Sequence, residues 1–270
     1  MRFLRFGKFA FIPLLLLATM LTAQPPQPGR TATDTIGPVS HIIPPPPTFS
    51  VPEENYVYKA EWRIWDAGTV TLGVSRDGNL MRVNGSAESK GVVSLLYPVH
   101  DNFSAIYDPR TFCSVNVRKH TEEGFRKRDT LINFNYARKK SVLDETNLKN
   151  NDRKHEENDI PGCVTDVLSG FMYLRSMPLL VGSTYTFPIN DGGKTVDVVA
   201  RVEAKETVKV PAGTFQTIRV SPESGSAFKL KGKVWIWYTD DAKRMPVQMR
   251  GKMFWGTLEF KLKSVEVPKK

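Results

Sequence analysis

The chain has 270 residues, only two cysteines and a net charge of +10. That length allows one large domain with a substantial core. Beyond the first 23 residues no segment is apolar enough to cross a bilayer as a helix.

Residues 1–23 read as a secretory signal peptide. Arg2, Arg5 and Lys8 form a basic start, residues 9–21 are an apolar run, and Ala23 is the expected cleavage residue. An uncleaved anchor helix is the alternative, although the run is short for a span. No cysteine follows it, so a lipoprotein anchor is not expected. Export to the periplasm or outer cell envelope of a bacterium disfavours nucleic acid as a partner. Removing the leader leaves +7. That excess suits either solubility or attraction to lipid head groups or an anionic envelope polymer.

Residues 24–52 are rich in Pro, Ser and Thr, and are expected to be a disordered tether. Pro44 to Pro47 should be extended polyproline II. Residues 53–267 are then a single antiparallel β domain.

Residues 55–65 alternate, with Tyr56, Tyr58, Ala60, Trp62 and Ile64 on one face and Lys59, Glu61 and Arg63 on the other. Asp66-Ala67-Gly68 and Asp77-Gly78 turn the chain through residues 69–75 into 80–88, a meander. Residues 91–98 (GVVSLLYP) fit either a buried strand end or a helical turn against the core. Residues 102–107, 112–120, 125–136 and 140–145 are further strands. Residues 147–159 have almost no apolar content and are expected to be an exposed loop.

Residues 160–180 carry the clearest helical pattern. Val164, Val167, Leu168, Phe171 and Met172 follow i, i+3, i+4, i+7 spacing. Asp166 in the first turn and Arg175 in the last complement the helix dipole, and Pro178 stops the helix. The helix is expected over about Cys163 to Met177. After it come strands at 183–189, 195–208, 214–221, 228–239, 246–254 and 257–266. Their turns include Asp191-Gly192-Gly193 and Pro211-Ala212-Gly213. Short turns between strands imply antiparallel pairing. The expected fold is mainly β: a large curved, half-barrel-like antiparallel sheet wrapped around one central α-helix.

The motifs together resemble an exported bacterial family defined as a domain of unknown function. They are Tyr56-x-Tyr58 with Gly68, Ile160-Pro161-x-Cys163-x-x-Asp166-Val167-Leu168-Ser169 and Tyr173-x-Arg175. Gly182, Pro211-Ala212-Gly213-Thr214-Phe215, Trp237-x-Thr239-Asp240-Asp241, Pro246-Val247 and Gly256 complete the set. The resemblance implies an envelope location and a mostly antiparallel β domain. The architecture is also similar to lipoprotein-carrier half-barrels, in which a sheet curls round helices and holds acyl chains. Fold alone does not assign that role.

Cys113 and Cys163 permit a disulfide in an exported chain, joining helix to sheet. Two separate reduced thiols are the alternative. No His-x-x-x-His or Cys-x-x-Cys spacing suggests a metal, no cofactor motif is present, and His41, His100, His120 and His155 are scattered. Asp240-Asp241 reads as a turn rather than an acid–base pair. Arg118, Arg126, Arg128, Lys229, Lys231 and Lys233, with Trp235 and Trp237, form either a solvated surface or a basic contact face for an anionic envelope partner. Val167, Leu168, Phe171 and Met172 either pack as core or line a gap for an acyl chain.

Without a catalytic constellation, the expected function is non-enzymatic: binding or carriage of a hydrophobic or amphipathic envelope component, such as lipid or a lipoprotein. The second expectation is a structural or scaffolding protein with a solid core, and a hydrolase is third.

Overall fold

The computed structural model describes residues 41–224, 232–253 and 256–267. The expected signal peptide and residues 24–40 of the tether lie outside the described residues. The first half of the domain runs β1 (Asn55–Trp62), β2 (Trp65–Asp77), β3 (Leu80–Ser89), a short helix α1 (Gly91–Leu96), β4 (His100–Tyr107), β5 (Ser114–Glu123), β6 (Arg126–Asn135), β7 (Lys140–Asn147) and β8 (Arg153–Asp159). Then come α2 (Val167–Ser176), β9 (Thr184–Asp191), β10 (Lys194–Val210), β11 (Gly213–Ser224), β12 (Gly232–Thr239), β13 (Pro246–Met253) and β14 (Gly256–Glu266).

Among the described residues fourteen strands form one antiparallel sheet, in the order β8-β7-β6-β5-β4-β3-β2-β1-β14-β13-β12-β11-β10-β9. Each half is a series of hairpins, and the halves join where β1 pairs with β14. Tight turns make this possible. Gly78 (φ 63°), Gly192 (φ 57°) and Gly193 (φ 77°) adopt the left-handed conformation that side chains resist.

The sheet curls, and α2 sits in its hollow. Tyr56, Tyr58, Leu72, Val74 and Met81 from one half, and Val198, Val220, Ile236, Tyr238 and Leu262 from the other, share one core with Met172, Tyr173 and Leu174 of α2. Ala105, Val117, Ile132 and Leu143 form a smaller cluster on β4–β7, against which Leu168 packs.

The sheet edges β8 and β9 do not pair with each other. The segment leading into α2 fills the gap between β5 and β9. Ser114 N donates to Val164 O (2.9 Å), Thr165 N to Pro188 O (3.0 Å) and Asn190 N to Thr165 O (2.7 Å). Ser141 Oγ on β7 also donates to Gly193 O in the β9–β10 turn (3.1 Å). The chain thus occupies backbone groups that an open edge would expose.

Five expectations change. The first turn falls at residues 63–64, and Asp66, Ala67 and Gly68 lie within β2. Helix α2 begins at Val167 rather than at about Cys163, because Asp166 caps it there. Residues 153–159 are strand β8, not loop. As an edge strand it buries almost no side chain, so it shows no apolar alternation. Its backbone ladder to β7 is supported by the charge pairs His155–Asp144 (2.7 Å) and Lys140–Asp159 (2.8 Å). Packing also starts before residue 53. Ile42 and Val51 are buried, Phe49 packs on the core, and Ile43 N donates to Tyr173 Oη (3.1 Å). A few apolar side chains among the prolines are enough to hold the strand-free segment down. Finally, residues 91–96 are helical but bury nothing.

Candidate functional site

Helix α2 begins where Asp166 caps it. Asp166 Oδ1 accepts from Leu168 N (2.7 Å) and Ser169 N (3.2 Å), and Ser169 Oγ accepts from Asp166 N (2.9 Å), a reciprocal capping box. Ser114 Oγ and Ser169 Oγ both donate to Asp166 Oδ2 (2.6 Å each). This serine–aspartate cluster is buried. Its carboxylate is committed to the helix start, and no imidazole belongs to the cluster to activate a hydroxyl. It ties the start of α2 to Ser114 of β5. Beside it Cys113 and Cys163 form the disulfide, across 50 residues of chain.

The other end of α2 places Arg175 at 0% exposure in the centre of the sheet. Arg175 Nη1 donates to Tyr56 Oη (2.9 Å) and Nη2 to Lys243 O (2.9 Å), while Glu54 Oε2 lies 3.6 Å from Nη2. Tyr56 Oη in turn donates to Glu54. Arg244 Nη1 closes the cluster on Arg175 O (2.9 Å). Two more tyrosines tie helix, loop and sheet: Tyr58 Oη donates to Pro246 O (2.9 Å) and Tyr238 Oη to Phe171 O (3.0 Å). Burial pushes the Tyr56, Tyr58 and Tyr238 hydroxyls well above the usual tyrosine range, so they stay protonated donors. The sequence held a signal for Arg175. It lies i+3 from Met172 and i+4 from Phe171, on the apolar stripe, where a cation must find partners inside.

The anticipated helix face holds only in part. Met172 is buried, and Leu168 and Phe171 are half-buried against the core, but Val167 is 48% exposed. Val167 is the first residue of the helix, next to its Asp166 cap. Three residues of the anticipated basic face have acidic partners. Arg128 meets Glu145 (2.7 Å), Arg126 approaches Glu123 (3.9 Å) and Lys233 approaches Glu203 (3.3 Å). Arg118 is exposed, and Lys233 lies 5.1 Å over the Trp235 ring. Trp237 is only 4% exposed and its Nε1 donates to Glu206 (2.5 Å), so it is no contact residue. Its position on the lysine-bearing side of β12 did not make it outward, because Glu206 and Arg250 cover it. Lys229 and Lys231 lie outside the described residues.

Asp241 Oδ1 accepts from Thr239 Oγ1 (2.7 Å), Lys243 N (2.9 Å) and Arg244 N (3.1 Å), a turn as expected. His120 pairs with Asp129 (2.6 Å), which raises its pKa, and Asp144 does the same for His155. Among the described residues no three metal-ligating side chains cluster.

Neither of two pockets on the described surface lies between helix and sheet. One, of about 410 Å³, lies between residues 45–51 and Arg76, Met81 and Arg110. The other, of about 630 Å³, crosses β1–β5. The register sets Asn55, Gly73, Asn84, Ser104 and Arg118 in one cross-strand row. Val57, Thr71, Ser86, Asn102 and His120 form the parallel row. The trough offers hydroxyls, amides and one guanidinium, and so can hydrogen-bond a polar ligand.

Burial also sets a pH response. Asp101 is buried and its carboxylate accepts from Glu122 N (2.9 Å). Desolvation, with the Glu123 carboxylate nearby, pushes its pKa up to about 6. The folded state therefore holds this proton more tightly than the unfolded chain does. Stability is expected to fall as pH rises from about 4 through about 6, and the cost persists above that. His120, also raised, adds a loss of the same sign as pH rises through its folded value. Asp101→Asn should remove its share, on the order of 1 kcal/mol. Urea midpoints at pH about 5 and about 7.5 would read this. A variant with an unchanged pH slope would assign the response elsewhere.

Comparison with known proteins agrees with this architecture. The family model described as "Protein of unknown function (DUF3108)" matches residues 57–263. A β-barrel-like protein of the domain of unknown function DUF1849 from Brucella abortus is 7% identical with a TM-score of 0.58, covering 82% of this chain and 100% of that one. That likeness is one of fold. A protein from Bacteroides fragilis, taken to be exported and described as having a YmcC-like fold, is 10% identical with a TM-score of 0.36 over 84% of this chain and 99% of its own. One from Parabacteroides distasonis, taken to be a lipoprotein, is 11% identical with the same score and coverage. No curated protein matches.

Proposed function

We propose, from the premise that the chain belongs to the DUF3108 family of proteins of unknown function, that it is an exported, non-enzymatic cell-envelope protein acting through its outer surface as a scaffold or docking domain. The filled hollow carries this reading. Met172, Tyr173, Leu174 and Arg175 are buried against Tyr56, Tyr58, Phe187 and Tyr238. These side chains occupy the space an acyl chain would need, which favours the scaffold over the carrier. The leader-like start and the Cys113–Cys163 disulfide suit an oxidising compartment outside the cytoplasm. The Asp166 and Asp241 carboxylates, each engaged by backbone N–H groups, suit an absence of acid–base chemistry.

Native mass spectrometry of protein purified from the soluble envelope fraction tests the reading. The expected species is the bare chain with its disulfide intact. A lipid retained one per chain would restore the carrier.

A further inference from the structure

At one end of the first half of the sheet, four connections stand side by side: the tips at residues 63–66, 90–99, 124–127 and 148–154. Of thirteen large apolar side chains exposed among the described residues, eight lie on these tips. The connections at the opposite end of the same strands, 78–79, 108–113 and 136–139, carry none. Chance scatter of surface apolar residues would not favour one end so heavily.

The strip is continuous. Lys90 N donates to Ala67 O (2.9 Å) and its ammonium pairs with Asp66 (3.1 Å), joining the first two tips. Gly124 N donates to Pro98 O (2.8 Å), and a Cβ at Gly124 would stand 2.8 Å from the Tyr97 ring. Leu148 N donates to Lys127 O (2.9 Å), and Lys149 Nζ lies 5.2 Å over the Phe125 ring.

Helix α1 is the most telling piece. Its sequence is GVVSLL, it buries no residue, and no side chain caps it. Six residues are too few to hold a helix alone in water. Leu95 is 85% exposed and Phe125 88%. The four tips carry seven basic residues and two acidic ones, and Glu122, Glu123 and Glu156 beside them pair with Lys127, Arg126 and Lys154, which leaves an excess of two positive charges. Trp65 and Tyr97 add rings of the type that settle at a membrane–water boundary.

We propose that this apolar and basic rim docks onto an anionic lipid bilayer, with α1 and the Phe125 tip entering the head-group layer. Positive charge would attract the anionic surface, and burying the apolar tips would hold the protein there. Among the described residues no helix is long and apolar enough to cross the membrane, so the contact is interfacial. The proposal rests on the reading of a protein that works from its outside, and it names the surface and the partner.

The test uses mature, folded protein and flotation with vesicles. One set is phosphatidylcholine alone, and the other contains about 30% phosphatidylglycerol. Binding is expected on the anionic vesicles, weaker on neutral ones and weakened by salt. Leu95→Ser and Phe125→Ser, made separately, should unfold like the parent yet each lose about tenfold in vesicle affinity. Absence of binding to anionic vesicles would overturn the proposal. So would undiminished binding by both variants, or a concentration-dependent dimer that the variants abolish. Such failures leave the filled hollow standing, whereas a lipid retained by the soluble protein defeats the scaffold itself.

Discussion

Arg175→Met is expected to destabilise the domain by about 3–5 kcal/mol, read as a lower urea midpoint. Methionine conserves most of the volume, so the loss reports the polar contacts rather than a cavity. Without the guanidinium, Glu54 keeps only the Tyr56 hydroxyl, and Lys243 O loses its donor. A buried carboxylate stripped of its counter-charge is the costly element. Arg175 Nε has no partner among the described residues, so the cation is itself imperfectly compensated. Adding Glu54→Gln should therefore recover part of the loss, and the double variant should cost less than the two single changes together. A loss below about 1 kcal/mol from Arg175→Met would show that the cluster does not hold α2 in place.

Reduction of Cys113–Cys163 is the second large effect. A closed loop of 50 residues is worth about 4 kcal/mol in the loop-entropy account. Unfolding with and without reductant should differ by that order. The loop contains all of β5–β8 and three of the four side chains in the small cluster of Val117, Ile132, Leu143 and Ala105. This is the thinly packed part of the sheet, so reduction should release its amide protons to exchange before those of β1 and β14. Uniform loss of protection, or no change in midpoint, would mean that β5–β8 is held by the sheet alone.

The legible features were those with a local cause. Alternation around Tyr56 and Tyr58, the Asp77-Gly78 and Gly192-Gly193 turns, and the apolar spacing of α2 follow from one-residue and four-residue periods. The cysteine pair was legible from compartment logic. Strand β8 was hidden because an edge pairs through its backbone on one side and needs no apolar face. Trp237 was misplaced outward because alternation assigns a face but cannot tell what covers it; Glu206 and Arg250 come from other strands. Arg175 was read as a partner for the helix dipole, when its partners are Tyr56 and Lys243, 119 and 68 positions away. The apolar residues of α1 were visible, but their exposure was not.

The sequence by itself determined an antiparallel β domain with an amphipathic helix in mid-chain, because side-chain period and turn chemistry are local and survive without tertiary context. Only the tertiary structure decided that α2 buries its side chains in the hollow, that three of the six anticipated basic residues stand beside acidic partners, and that apolar tips gather at one end. Those facts depend on which distant residues share a space, and a linear pattern carries no information about its own neighbours across the sheet.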